Sequence, residues 1–185
     1  MFLKKGNGKK SKLIRTELLI VMGLALFFLT ACLSQQNGSS TTQPELSITY
    51  RFTAETVFEK IEINQNKLTY TYFEDIANKC AQWYYQYPCW TEKDLQTKEA
   101  TLSTSDINDL IKFILQIKFI ELANSYGNAP PEQRYYPYIL KVKLKDIEKE
   151  VIYQSFPTAQ PMPEAMEKLI EVLHELVKVK IQSEL

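Results

Sequence analysis

The 185-residue sequence predicts an α+β fold, an antiparallel sheet of about five to six strands with two helices packed on one face. Three observations carry that expectation. Apolar and aromatic residues alternate with polar ones over much of 46–72 and again over 138–155, the period of two that sends successive side chains to opposite faces of a sheet. Over 107–117 and 166–177 the apolar residues instead recur every three or four positions, as on one face of a helix. Polar turns at 64–67 and near Asp146 return the chain on itself, so the strands read as an antiparallel meander and a hairpin.

Taken in order, Ile48, Tyr50 and Phe52 share one face of a first strand. Val57, Ile61 and Ile63 mark a second, and Leu68, Tyr70 and Tyr72 a third. A weaker strand over 94–102 leads to the clearest helix start, where Ser103 and Asp106 have the spacing of a capping box. Ile107, Leu110, Ile111, Ile114 and Ile117 then form a helical stripe that ends before the loop 124–131, whose Gly127 is free to take a positive φ. The strongest strand signal follows. Tyr138, Leu140, Val142 and Leu144 face one way, and Ile139, Lys141, Lys143 and Lys145 the other. The lysine row reads as a solvated face that Glu148 and Glu150 on the returning strand neutralise. A proline-rich connection, with Pro163 expected as the first helical residue, opens the last helix. Met166, Leu169, Ile170, Leu173, Leu176 and Val177 are its apolar stripe.

Domain organisation is set by the first quarter of the chain. A leader carrying Lys4, Lys5, Lys9, Lys10, Lys12 and Arg15 precedes an apolar run over 18–33, sixteen residues long. That is short of the ~20 residues needed to span a bilayer, and basic flank and apolar run together read as a signal peptide. The run closes on Leu29-Thr30-Ala31-Cys32, which resembles a bacterial lipobox. That resemblance implies cleavage after Ala31 and acyl chains on Cys32, with the mature protein held on the envelope membrane facing the periplasm or exterior. A plain signal anchor with an unmodified cysteine is the alternative. Residues 1–31 are thus the expected signal peptide, 32–45 a flexible polar tether and 46–185 a single globular domain. Leu33 and Ser34 lack the aspartate that resembles an inner-membrane retention signal, which favours the outer membrane if the source has one.

Removing the leader takes away six of the 22 basic residues and one of the 22 acidic ones, leaving a mature net charge of −5. Arg51 and Arg134 are the only arginines left, so nucleic-acid binding is disfavoured. With Gly127 the only glycine after the tether, nucleotide-cradling loops are excluded, and no nucleotide or other cofactor is expected. With Cys32 acylated, Cys80 and Cys89 remain as an even pair and one disulfide is possible; free thiols and a metal site are the alternatives. No histidine lies near either cysteine to complete a zinc set, and no metal is expected. His174, the only histidine, falls on the flank of the last helix's apolar stripe, with no nucleophile evident beside it. Glu167, Glu171 and Glu175 read as solvated charge, and Glu74 with Asp75 as an ordinary turn.

The densest aromatic stretch of the chain remains. Trp83, Tyr84, Tyr85, Tyr87 and Trp90 lie between or beside the two cysteines, and aromatic rings serve as anchors for sugars and for protein partners. They are either a ligand or partner contact or a cap over the core. The words LSTSDINDLIKFILQIKFIEL, and RYYPYILKVKL before VIYQSFP, resemble an uncharacterised family of bacterial envelope domains built as strands, helix, hairpin and helix. The resemblance covers roughly residues 46–180 and implies a fold without an activity. The expectation is a lipid-anchored, non-catalytic binding or assembly module, bound to the membrane through Cys32 and to an envelope protein or glycan through the aromatic stretch. An inhibitor or accessory subunit of an envelope enzyme, and a carboxylate-dependent cell-wall hydrolase, are the alternatives.

Overall fold

The computed structural model describes residues 45–182; the predicted signal peptide, Cys32 and the tether up to its last residue lie outside them. The described chain runs β1 (Leu46–Thr53), β2 (Phe58–Asn64), β3 (Lys67–Phe73), β4 (Leu95–Thr101), α1 (Thr104–Gln116), β5 (Ser125–Tyr126), β6 (Tyr136–Leu144), β7 (Ile147–Ser155) and α2 (Glu164–Val177). The strands form one sheet in the order β4-β3-β2-β1-β6-β7-β5. Every pairing is antiparallel except β5 with β7.

The expected α+β architecture is therefore present, with seven strands instead of five or six. The extra one is β5, too short at two residues to show any periodicity. Val57 is not part of β2 but an exposed residue of the turn before it. In the β2–β3 turn Gln65 takes the left-handed position, with φ 57°.

The period-two pattern works as read. Leu46, Ile48, Tyr50, Ile61, Ile63, Leu68, Leu140, Val142, Leu144, Val151 and Tyr153 are buried on one face. Ile107, Leu110 and Ile114 from α1 and Met166, Leu169, Ile170, Leu173 and Val177 from α2 complete the same core. The opposite face carries threonines and charges beside a few apolar residues such as Phe58, Phe73, Ile139 and Ile152, with ion pairs Lys60–Glu62 at 2.8 Å, Lys67–Glu99 at 2.7 Å and Lys141–Glu148 at 2.7 Å. Among the described residues no helix is long and apolar enough to cross a membrane.

Local signals hold the helices in place. Ser103 accepts a hydrogen bond from the Asp106 amide and Asp106 accepts one from the Ser103 amide, the reciprocal cap that satisfies free N–H groups at the start of α1. Lys180, in the π turn Lys178–Gln182 after α2, reaches the same carboxylate at 2.8 Å. The Lys180 ammonium, aided by the Ser103 bonds, outweighs burial and holds the Asp106 carboxyl below its usual range. Pro163 caps α2 instead of opening it, its carbonyl receiving the amides of Met166 and Glu167. Gly127 takes φ +86° where the loop crosses β7, and a Cβ there would stand 2.2 Å from the Gln154 carbonyl oxygen.

Candidate functional site

Two regions combine polar and aromatic chemistry. The first is the β3–β4 connection, residues 74–94, at the end of the sheet where β1 turns into β2. Cys80 and Cys89 are joined in a disulfide. Each stem of the bridged loop is pinned separately. On one side the Asp75 carboxylate accepts the amides of Lys79 and Cys80, each at 2.8 Å. On the other, the Cys89 amide donates to the Glu55 carbonyl at 2.9 Å and the Trp90 indole to the Ala54 carbonyl at 3.2 Å. The stem beyond Trp90 is fixed as well. Lys79 at 2.6 Å and the Thr91 amide and hydroxyl bind the Asp94 carboxylate and lower its pKa to about 2.

The aromatic residues divide into two groups. Trp90 packs against Phe58, with centroids 4.9 Å apart, and faces Phe73 at 6.5 Å. Phe58 and Phe73 belong to the face that carries no helix, so Trp90 fastens the loop to the sheet. The other four rings rest on one another. Tyr84 stacks on Tyr85 at 4.5 Å and Tyr85 on Tyr87 at 5.2 Å. Trp83 meets Tyr85 and Tyr87 edge-on and donates its indole N–H to the Tyr87 carbonyl at 2.7 Å. Tyr84 is 81% exposed, and Tyr85 and Tyr87 are exposed beside it. No charged residue interrupts 80–91. Val57, Ile76 and Tyr135 also stand exposed at this end.

Arg134 links the loop to the start of β6. Its guanidinium pairs with Glu55, donates to the Gln86 carbonyl at 2.9 Å and lies over the Tyr136 ring at 5.7 Å. A groove of about 170 Å³ runs beside it, lined by Thr53, Pro88, Tyr135 and Tyr136 among others.

The second region lies on the helix-bearing face, in one row across the sheet: Gln96, Tyr72, Glu59, Phe52, Tyr138 and Tyr153 stand level on six successive strands. Glu59 is its centre. The carboxylate accepts the Tyr70 hydroxyl at 3.1 Å and meets His174 Nε2, from α2, at 2.9 Å. Tyr50 lies edge-on to the His174 ring at 5.5 Å. Burial, and then the Glu59 charge, push the phenols of Tyr50 and Tyr70 far above their ordinary pKa. The flank position expected for His174 is where the side chain sits. The missing piece was its partner, 115 residues earlier. A signal existed in the sequence: Glu59 falls in phase with Ile61 and Ile63 and is therefore a carboxylate on the core side of a strand, which needs a bonded partner.

Asp75 serves the loop as a structural acceptor, and Glu175 lies 3.6 Å from Lys178. Glu167 and Glu171 border a groove between α2 and β6–β7. Among the described residues, no group of three or more His, Cys, Asp or Glu is placed to hold a metal. No protein-family model matches the chain, and no curated protein matches it significantly. The class of protein is defined by its parts: an α+β sheet with a disulfide-braced aromatic tip at one end.

Proposed function

We propose that this is a lipid-anchored bacterial envelope protein, held by acyl chains on Cys32, that acts as a non-catalytic binding or assembly module. The tip formed by residues 83–87 is its contact surface for an envelope protein or glycan. One observation carries the reading: four rings, three of them exposed, pack on one another on a loop fixed by a disulfide, by hydrogen bonds and by Trp90. Large exposed aromatic groups supply contact area, and rings ordered before binding lose little further entropy when a partner arrives.

Position supports the same reading. The tether joins β1 at its first residue, and the tip lies beyond its last, seven steps or about 23 Å along the strand. The described domain thus begins at one end of the sheet and carries the tip at the other, as a module held from its N-terminal side would need. An inhibitor or accessory subunit would use the same projecting rings, seated in an enzyme's cleft. The hydrolase alternative needs two acids facing across a cleft, and Glu59 is instead engaged by Tyr70 and His174.

The test compares the wild type with Tyr84→Ser/Tyr85→Ser/Tyr87→Ser, checked for an unchanged thermal midpoint, on purified cell-wall glycan and on solubilised envelope proteins in separate arms. The expected result is saturable binding in one arm that weakens at least about tenfold in the variant. Equal binding by both proteins, or none by the wild type in either arm, overturns the contact surface. Labelled palmitate entering Cys32→Ser as readily as the wild type overturns the anchor.

A further inference from the structure

We propose that the groove between α2 and β6–β7 binds an organic ammonium ion, at a site separate from the tip and independent of its role. The groove measures about 280 Å³, near the lower limit of small-ligand sites. Its floor is an aromatic corner, the rings of Tyr138 and Tyr153 with centroids 6.0 Å apart and planes inclined at 50°. Met162 and Ile170 add apolar wall, and Glu167 and Glu171 stand at the rim, one helical turn apart. None of the lining residues is basic.

Each part selects for the same ligand. A ring face attracts cations through its quadrupole, and two faces set at an angle offer this to one head group at once. The carboxylates add Coulombic attraction, in a mature chain that already carries net charge −5. Small inorganic cations hold their water too firmly to exchange it for ring faces and a thioether, whereas an alkylammonium buries its carbons there at little cost. The cations nearby in sequence are otherwise engaged. Lys168 is bound to Glu164 at 2.6 Å, Lys149 to Asn124 at 2.6 Å, and His174 to Glu59. The Tyr138 phenol is pushed up by burial first, then by Tyr153 and Glu59.

Calorimetric titration of the mature protein with choline, with putrescine and with 3,3-dimethylbutanol, the uncharged counterpart of choline, tests the site. At least one cation is expected to bind saturably and to shift the ring resonances of Tyr138 and Tyr153. The alcohol should bind at least about tenfold more weakly, and Glu167→Gln/Glu171→Gln and Tyr138→Leu should each weaken the cation about five- to tenfold. A preference for choline assigns recognition mainly to the rings, and one for putrescine mainly to the carboxylates. The triple tip variant should bind as the wild type does. No saturable binding of either cation, equal binding of the alcohol, or wild-type affinity in the Glu167→Gln/Glu171→Gln protein overturns the proposal.

Discussion

Removing the bridge by Cys80→Ala/Cys89→Ala, in a Cys32→Ser background, tests whether the tip is part of the cooperative fold. The cysteines are nine positions apart, and closing so short a loop in the unfolded chain costs about 2.6 kcal/mol of conformational entropy at 25 °C. Where that loss appears depends on the stems. Asp75 holds one, and Glu55 and Trp90 hold the other, by contacts that do not involve the sulfur atoms. If those contacts keep the loop in place without the bridge, the whole term is subtracted from global stability. A folded unit of this size unfolds with about 0.3 kcal/mol per kelvin of entropy, so the midpoint should fall by about 9 °C. Urea denaturation should show the same loss with an unchanged slope, since the surface exposed on unfolding stays the same. If instead the loop frays in the variant, the native state recovers most of that entropy. A midpoint within about 2 °C of the wild type, with the near-ultraviolet signal of the aromatic cluster gone, would refute the claim that the stems are self-sufficient.

Two further outcomes follow from single residues. Gly127→Ala forces a Cβ against the Gln154 carbonyl in a backbone region that alanine avoids, and should destabilise by about 2 to 4 kcal/mol in urea denaturation; a loss under about 1 kcal/mol would show that the loop moves freely off β7. The raised phenols of Tyr50 and Tyr70 contribute stability that is complete below their unfolded pKa of about 10 and is lost as pH rises beyond it. Phenolate absorbance should therefore rise in two phases, the second coinciding with alkaline unfolding and shrinking in Tyr70→Phe; one phase near pH 10 for every tyrosine would contradict the Glu59 cluster.

Wherever a period ran for several residues, the fold could be read from the sequence. Ile48, Tyr50, Leu140 and Val142 declare a buried face by alternation, and Ile107, Leu110 and Ile114 declare a helix by spacing. β5 has no period to detect, because its two residues pair with β7 through tertiary placement of the loop around Gly127. The aromatic stretch was conspicuous, yet its division was not: Trp90 folds back onto the helix-free face of the sheet because Phe58 and Phe73 meet at the same level of β2 and β3, a fact of register and not of composition. The contact between Glu59 and His174 depends on α2 crossing above β2, which neither segment encodes by itself.

The central position of β1 has a mechanical consequence. It is hydrogen-bonded on both sides, to β2 through seven residue pairs and to β6 through seven more, and antiparallel to each. Under the proposed function, tension between an anchor upstream of Leu46 and a partner held at the opposite end would act along the strand, at right angles to those bonds. Both ladders are then loaded in shear, with their bonds sharing the force instead of opening one after another like a zip. A molecule strung between a membrane and its partner would yield at a single threshold and otherwise transmit the pull intact.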